Sequence, residues 1–547
     1  MNSTFTFIDY AIFVIYAVAL VSVGFWVSRG KKGEEKSAED YFLASKSLPW
    51  WAIGASLIAA NISAEQFIGT SGSAFAAGIA IGSYEFMSAL TLVIVGKYFL
   101  PIFIKQGIYT IPEFVEKRYS TNLKTILAIF WICLFVFVNL TTVLFLGGQA
   151  LDTILGVGDG SLTVPAMICL AFVAAAYSLY GGLSAVAWTD VLQVALLVIG
   201  GLITTFIALY YVTPDHGIVD GIKHVYESAG DHFDMILSKD HKEYMNLPGI
   251  GVLIGGMWVA NLYYWGFNQY IIQRTLAAKS LPEAQRGIIF AAFLKILIPF
   301  IVVIPGIIAY VMFTENFNGA QDVFNVGGVM KYDSAYPWLI REFVPTGLKG
   351  LVVAALAAAI VSSLASMLNS TSTIFTMDIY KPYINPEASQ TKLVNVGRLT
   401  AAAALVIALC IAPMLGGLGQ VFQYIQEYTG LVSPGILGVF LMGLFWKGAN
   451  NKGAVWGVLL SIPVALLLKF LPAMTGGAVA LPFLDQMAYT LLATLLIIYV
   501  VSKATVASTE PERAIPVSKE LFKTDSVFNI CAYAILVILA IIYAIFW

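Results

Sequence analysis

Charged residues are scarce in this sequence. Lys, Arg, Asp and Glu make up 11% of its 547 residues, whereas a soluble globular chain carries about 25%. Apolar residues make up 59%, and the mean hydropathy is +0.84. This balance excludes an ordinary soluble domain and indicates a polytopic membrane protein surrounded by the lipid bilayer. The net charge of −2 does not point to nucleic acid, and no nucleic-acid partner is expected.

Cysteine and histidine are limited in number and in place. The four cysteines all fall in apolar stretches, at Cys133, Cys169, Cys410 and Cys531. Their spacing fits neither a disulfide framework nor a metal site, so we expect them to be buried small hydrophobes. The four histidines all fall in one hydrophilic loop, at His216, His224, His232 and His241. We expect that loop to be solvated, which leaves no histidine in the membrane to relay protons.

Apolar stretches long enough to cross a bilayer, roughly 17–25 residues each, recur along the whole chain. We predict about 14 transmembrane helices, at approximately 9–29, 50–78, 81–104, 124–152, 161–179, 185–212, 249–273, 286–313, 347–378, 394–414, 417–446, 452–471, 482–503 and 526–547. The predicted fold class is therefore an all-α polytopic membrane protein. These spans carry no nucleophile–base pair and no nucleotide-binding loop, so we do not expect an enzyme.

Lys and Arg are distributed unevenly between the loops. With the N-terminus outside, the cytoplasmic clusters fall at 29–46, 105–124, 274–286, 381–398, 447–452 and 503–523. The outer side holds only Lys223, Lys239, Lys242, Lys331, Arg341 and Lys349. Because basic residues accumulate on the cytoplasmic side, this asymmetry predicts that both termini lie outside. The long outer loops, about 213–248 and 314–346, are polar, and we expect short surface helices or coil there without a site.

Two of the predicted spans are interrupted by polar residues near their centres. The first interruption reads AANISAEQ at 59–66, and the second reads VANLYYWGFNQ at 259–269. Polar groups deep in a bilayer are costly unless they line a cavity or pair with one another. Each interrupted span opens a group of five spans, and the two groups have opposite orientations. This arrangement predicts an inverted repeat with a binding site near the midplane of the membrane.

The predicted repeat divides the chain into five parts. These parts are a first helix with a cytoplasmic loop (1–49), a first repeat (50–212), an outer loop (213–248), a second repeat (249–446) and peripheral C-terminal helices (447–547).

Single polar residues inside the spans are candidates for the site. Glu85 and Ser88 are three residues apart and share one helix face; an acid at the membrane interface is the alternative for Glu85. Lys295 is flanked by apolar residues on both sides, so we expect it to pair with an acid or to donate to a ligand oxygen. Gln426 lies on a polar face of its span, unless that face is a partly exposed helix end.

Hydroxyl groups repeat at helical spacing along the ninth span, at Ser362, Ser363, Ser366, Ser370 and Thr373. Such stripes often mean only close helix packing. Here they combine with an interrupted span whose unwound carbonyls would lie near Ala59 and Ile62. Broken helices coordinate coupling ions in this way, so the two segments together offer neutral oxygens for a hard cation such as Na⁺.

Aromatic residues accompany these polar groups, at Tyr84, Tyr263, Tyr264, Trp265 and Phe422. Aromatic faces stack on the C–H surfaces of sugar rings, and they also serve as lids. The alternative is a belt at the membrane interface. That alternative fits Tyr264 poorly, because Tyr264 lies in mid-span beside Asn261.

Five stretches carry a family resemblance: AANISAEQF at 59–67, YTIPEF at 109–114, YGGLSA at 180–185, WTD at 188–190 and QYIQEY at 423–428. With these motifs the chain resembles the sodium:solute symporter family over essentially its whole length. The similarity is closest to bacterial sodium/galactose cotransporters of the sodium/glucose type. The resemblance implies a leucine-transporter-like fold, a five-plus-five inverted repeat with peripheral helices. It also implies Na⁺-coupled uptake of galactose or glucose across the inner membrane by alternating access.

The resemblance also implies roles for individual residues. The sugar ligands would be Gln66, Glu85, Ser88, Asn261, Lys295 and Gln426. The gates would be Asn61, Tyr84, Tyr264, Trp265 and Phe422, with Tyr264 beneath the sugar and Tyr84 and Phe422 in the outer lid. The sodium site would take the carbonyls of Ala59, Ile62 and Ala359 and the hydroxyls of Ser362 and Ser363, with Asp190 on the release path. Thr70 departs from the pattern, because a close relative has methionine there.

Two other functions stay open. A sodium symporter for another small solute, such as proline or sialic acid, would share the sodium site, although a carboxylate substrate is expected to avoid Glu85. A sugar sensor would bind sugar and Na⁺ but would move little substrate. A neutral polyol fits the mixed donors and acceptors best, because a site built to hydrogen-bond hydroxyls rejects analogues that lack them.

Overall fold

The computed structural model of the protein describes residues 5–28, 37–155, 160–326, 329–416, 421–505, 513–515 and 517–547. Within these ranges regular structure is helical, apart from one short antiparallel pair of strands, Asn325–Val326 and Val329–Met330. Part of the first basic cluster, residues 29–36, lies outside the described residues. The helical, polytopic character predicted from the sequence is confirmed.

By length and composition, eleven helices among the described residues can cross a membrane. They are Phe7–Val27, Glu65–Gln106, Thr121–Ile154, Gly182–Tyr211, Leu281–Thr314, Leu348–Ile384, Gln390–Leu415, Val421–Phe445, Asn451–Met474, Phe483–Ala504 and Ser526–Ile545. The count of 14 stays a prediction. Of the remaining predicted spans, 161–179 forms the first part of the long helix Thr163–Tyr211, where the apolar stretch Thr163–Ala176 is shorter than a full span, and 50–78 and 249–273 are broken.

The first interrupted span is a broken helix. The helix Trp50–Asn61 ends at Ile62, whose backbone is extended with φ −79° and ψ 98°. The chain then resumes as a π-helix over Glu65–Thr70 and an α-helix over Ser71–Ala77. An extended residue inside a span takes nearby carbonyls out of the helical hydrogen-bond pattern, so they need other partners. The break therefore supplies free backbone oxygens deep in the protein.

The second interrupted span is also broken, but not at its central asparagine. Asn261 lies inside the helix Gly256–Phe267. The chain becomes extended at Asn268, with φ −82° and ψ 121°, and continues as the helix Gln269–Leu276. The polar side chain of Asn261 thus sits on an intact helix, and its backbone oxygen stays in the helical pattern.

The helix Leu348–Ile374 lies at the centre of the bundle. Its spanning segment is 94% buried inside the protein, and it packs along the long helix Thr163–Tyr211, which is kinked at Gly182. Asp9, on the helix Phe7–Ser28, accepts from the amides of Gly347 and Gly350 at 2.8 Å each. The hydroxyl-bearing span is thereby fixed at its N-terminal end.

Three surface expectations were wrong. The segment 314–346, predicted to be an outer loop of short surface helices or coil, does contain a short helix, Ala335–Phe343, but its Trp338 is fully buried because its apolar residues pack into the bundle. His232 is not solvated: it is buried, and its ring stacks on Tyr310 with centroids 3.7 Å apart. The cysteines are not buried. Cys133, Cys169 and Cys410 are exposed on outward helix faces, where lipid tails are as apolar as a protein core.

Candidate functional site

One cavity of about 70 Å³ is lined by all six predicted sugar ligands and all five predicted gate residues. They are Gln66, Glu85, Ser88, Asn261, Lys295 and Gln426, with Asn61, Tyr84, Tyr264, Trp265 and Phe422. The two broken spans and the helices Ser83–Ile94, Leu281–Thr314 and Val421–Phe445 bring them together. Residues more than 350 positions apart in sequence thus converge, while their binding and gating roles remain predictions.

The cavity contains a buried pair of opposite charges. The Lys295 ammonium donates to the Glu85 carboxylate and to the side-chain carbonyl of Asn61. Both charged side chains are almost fully buried, so Glu85 is not an acid at the membrane interface. The ammonium also lies 5.2 Å from the centroid of the Trp265 ring, within cation–π distance. The cavity therefore offers strong donors and acceptors with no net charge from this pair.

Hydrogen bonds between neutral side chains connect two of the helices that line the cavity. The Ser88 hydroxyl lies 2.6 Å from the Asn261 side-chain oxygen. The Asn261 amide donates to the Met257 carbonyl at 3.1 Å. Fixed in this way, the two side chains hold their polar atoms in one orientation at the cavity wall, which favours recognition of a ligand with defined hydroxyl positions.

Thr70 acts on a predicted ligand and does not line the cavity. Its fully buried hydroxyl donates to the Gln66 side-chain oxygen at 3.0 Å. Gln66 is thereby left with its two amide hydrogens as the free donors. Thr70 thus gives Gln66 a hydrogen-bonding partner, which a methionine side chain at this position would not supply.

Two aromatic groups bound the cavity. The rings of Tyr84 and Phe422 meet edge to face, with centroids 5.4 Å apart. The Tyr264 hydroxyl accepts from the Asn61 amide at 3.0 Å and from the Tyr270 hydroxyl at 2.6 Å. Edge-to-face pairs are a favoured aromatic packing geometry, so both groups form defined contacts.

The order of residues along each helix separates these two groups. Tyr84 precedes Ser88, and Phe422 precedes Gln426, by about one turn. Tyr264 follows Asn261 by about one turn. In the predicted orientation all three helices run from outside to inside, so the Tyr84–Phe422 pair lies on the outer side of the ligands and Tyr264 on the inner side.

The five predicted sodium ligands are all fully buried. The Ser363 hydroxyl donates to the Ala60 carbonyl at 3.0 Å, which joins the central helix to the first break. The Ser362 hydroxyl donates to Asp190. Because both hydroxyls give their protons away, the lone pairs that remain are available to a cation. Neutral hydroxyl and carbonyl oxygens of this kind fit Na⁺.

Asp190 belongs to a buried network that sequence reasoning did not find. Its carboxylate is fully buried, accepts from the Ser56 hydroxyl at 2.5 Å and lies 3.3 Å from the Arg274 guanidinium. Arg274 also donates to the Ser366 hydroxyl. Because Arg274 stands at the end of a predicted span, its sequence position predicts a cytoplasmic cation. Its position directly after an interrupted span was the signal available.

Further polar residues line the cavity without a predicted role. They are Glu65, Asn139, Asn268, Thr429 and Ser433. The Thr142 hydroxyl donates to Glu65 at 3.1 Å. The side-chain oxygens of Asn139 and Asn268 have no hydrogen-bond partner among the described residues. Asn139 interrupts a predicted span after a run of apolar residues, a signal that was visible in the sequence. Buried polar atoms of this kind need a ligand or water as partner.

Comparisons with known proteins agree on one family. A family model described as the sodium:solute symporter family matches residues 41–461. A sodium/glucose cotransporter of Vibrio parahaemolyticus is 60% identical over 546 residues, covering 99% of this chain and 98% of that protein. Sodium/myo-inositol cotransporter 2 of Homo sapiens is 34% identical over 480 residues, covering 84% and 69%.

A solved structure has the same fold. It is the substrate-bound, outward-open state of a Na⁺-coupled sialic acid symporter, with a TM-score of 0.76. At 24% identity, the match covers 91% of this chain and 98% of that one. At this level of identity the likeness shows the fold alone.

Proposed function

Because the chain belongs to the sodium:solute symporter family, we propose that it is a sodium-coupled symporter that takes up a hexose, galactose or glucose, by alternating access. Na⁺ is its coupling ion. The 60% identical relative from Vibrio is a sodium/glucose cotransporter, and this similarity extends over nearly the whole of both chains.

The observation that carries the hexose assignment is the composition of the cavity wall. A hexose presents several hydroxyls, each both donor and acceptor. Gln66, Asn261 and Gln426 offer amides, Ser88 a hydroxyl, and the Glu85–Lys295 pair the two charged groups. A rigid wall of this kind discriminates between hydroxyl patterns, because a missing hydroxyl leaves a buried group unpaired. The aromatic groups on the two sides supply the lids.

Sodium is proposed to act through the first break. Na⁺ bound by the carbonyls of Ala59, Ile62 and Ala359 and by the two serine hydroxyls would tie the broken span to the central helix. The ion biases the transporter only through its different affinities for the two states. In the outward-facing state the break places its carbonyls for coordination, so Na⁺ favours that state. Asp190, which accepts from Ser362, then offers the ion a carboxylate as it leaves.

The remaining organisation is proposed on the same basis. The two groups 50–212 and 249–446 form the inverted repeat of a leucine-transporter-like fold, and 1–49, 213–248 and 447–547 lie outside it. Low burial of the first helix and the last three supports their peripheral place. The bias of Lys and Arg supports both termini outside, with the protein in the bacterial inner membrane.

Equilibrium binding of radiolabelled galactose to the purified protein tests this proposal. We expect saturable binding in Na⁺ that weakens at least tenfold in choline, and loss of binding in Gln66→Ala. Ser238→Ala in the outer loop is the matched control and should bind like wild type. Binding that is equally tight in choline would contradict sodium coupling. Absence of galactose and glucose binding in Na⁺ would contradict the hexose assignment.

A further inference from the structure

A short turn of the outer loop is inserted beside the lid helix, Val421–Phe445. The turn is Tyr332–Ser334, and its Asp333 is buried. One carboxylate oxygen of Asp333 accepts from the backbone N–H of Val421 at 3.2 Å. Val421 is the first residue of the lid helix and directly precedes Phe422. A loop carboxylate therefore holds the end of the helix that carries half of the predicted outer lid.

The opposite side of the turn packs against the first broken span. A Cβ added at Gly72 would lie 2.6 Å from the other oxygen of Asp333 and 2.8 Å from the Tyr332 carbonyl carbon. Gly72 belongs to the helix Ser71–Ala77, which follows the π-helix bearing Gln66 and Thr70. Since Gly72 has no side chain, the turn fits directly against its backbone.

The broken span contacts the lid helix a second time closer to the cavity, through Gly69 of the π-helix Glu65–Thr70. A Cβ added at Gly69 would lie 2.8 Å from the Cβ of Phe422, and the Phe422 ring packs against Tyr84. Asp333 thus connects the lid helix to the broken span on the predicted outer side, and Phe422 connects the same two elements closer to the cavity. The outer side can open only if the lid helix and the broken span separate, which breaks the contact between Asp333 and Val421.

We propose that Asp333 is a latch that holds the outer lid closed by fixing the lid helix, through Val421, against the broken span at Gly72. The proposal rests on the proposed outer lid, but not on the identity of the substrate. In this role Asp333 is a positioning residue, because it acts on Phe422 through the helix and does not touch the cavity.

The latch should respond to pH. Burial raises the pKa of Asp333, which lies outside the membrane-spanning segments, to about 7. When the lid opens, water reaches the carboxylate and its pKa falls toward the ordinary value. Between these two pKa values closing therefore takes up a proton, and the closed state loses stability as the pH rises through this range to about 7. Raising the pH from 6 to 8 thus shifts the protein toward the outward-open state.

The elements around Asp333 carry other titratable groups. The packed helix Ser71–Ala77 has none. The loop and the lid helix carry Lys331, Tyr332, Tyr424 and Glu427, and Glu243 acts on Tyr332. A substitution at Asp333 separates its titration from theirs, because these groups are the same in every variant.

Thiol accessibility from the outside tests the latch. In a background with the four native cysteines replaced, Thr429→Cys places one thiol in the cavity on the lid helix. Its labelling by a membrane-impermeant reagent is measured in Na⁺ without sugar, at pH 6 and pH 8, in proteoliposomes. Rates are compared between variants at the same pH, which cancels the ionisation of the thiol.

The two Asp333 variants separate the hydrogen-bond acceptor from the charge. Asp333→Asn keeps a neutral acceptor and closes without taking up a proton, so it should label more slowly than the parent at both pH values, by at least threefold at pH 8. Asp333→Ala removes the acceptor as well, so we expect it to label at least threefold faster than Asp333→Asn at pH 6 and at pH 8. Asp322→Asn, on an exposed acid of the same loop, should match the parent at both values.

Equal labelling rates for Asp333→Ala and Asp333→Asn would overturn the latch if both variants elute as monodisperse proteins. If Asp333→Ala does not fold, Asp333→Asn decides: a rate equal to the parent at pH 8 would overturn the proposal. No sugar is present, so the outcome does not depend on whether galactose or glucose is the substrate.

Discussion

The stability cost of substituting Lys295 depends on whether its buried partner Glu85 keeps its charge. Removing one member of a buried ion pair costs about 3–5 kcal/mol, because the other charge is left uncompensated. We expect Lys295→Met to lower the melting temperature of the purified protein and to abolish sugar binding. The double variant Glu85→Gln/Lys295→Met should recover much of the melting temperature but not the binding. A double variant as unstable as Lys295→Met alone would contradict this account of the pair.

The hydrogen bond from Thr70 to Gln66 should contribute to sugar affinity. The variant Thr70→Val keeps the shape of the side chain but removes its hydrogen bond to Gln66. A typical hydrogen bond contributes about 1 kcal/mol, so we expect the KM for sugar to rise roughly fivefold while the maximal rate and the Na⁺ dependence stay unchanged. Thr70→Ser should restore the KM. A KM that is the same in Thr70→Val and wild type would show that Gln66 does not need this partner.

Sequence reasoning located polar residues better than it located their partners. Lys295 and Glu85 were identifiable because charge is costly in a span. The bond between Thr70 and Gln66 and the network around Asp190 and Arg274 were not, since each depends on side-chain directions or on contacts between distant segments. Arg274 was misjudged for a physical reason: its position at a span end is typical of a solvated cation, yet its guanidinium is buried.

At the scale of elements, one added methyl group should disturb the contact between the first broken span and the lid helix. A Cβ at Gly69 would lie 2.8 Å from that of Phe422, so one of the two helices must move. We expect Gly69→Ala to hold the lid apart and to reduce the maximal uptake rate at least fivefold, with Na⁺-dependent binding retained. Gly476→Ala should change stability only, because no atom lies near the added Cβ. Equal uptake rates for Gly69→Ala and wild type would contradict tight closure there.

Elements were predictable where one physical rule dominates. Long apolar stretches must be helical in a bilayer, and polar interruptions indicated where two of them break. The rule did not place the second break, because Asn261 is accommodated within a helix and the chain opens at Asn268 instead. It also failed for Ala335–Phe343, since a segment assigned to an outer loop by its polarity carries a buried apolar face that only tertiary packing reveals.

For the whole molecule, coupling of one Na⁺ to one sugar sets a limit on sugar accumulation. One charge crossing 100 mV contributes about 2.3 kcal/mol, and a tenfold Na⁺ gradient contributes about 1.4 kcal/mol. Coupling of one Na⁺ to one sugar then concentrates sugar by roughly two to three decades, at about 1.4 kcal/mol per decade. Uptake measured against an imposed potential checks this limit. Steady accumulation well above it would rule out one-to-one coupling.

Uptake of radiolabelled galactose into proteoliposomes with an inward Na⁺ gradient is the most direct test of the central claim. It compares wild type with Ser363→Ala in the sodium site and Gln66→Ala in the sugar site. We predict that wild type accumulates sugar only when Na⁺ is present and that each variant loses accumulation. Uptake by wild type that persists unchanged when choline replaces Na⁺ would contradict sodium-coupled symport.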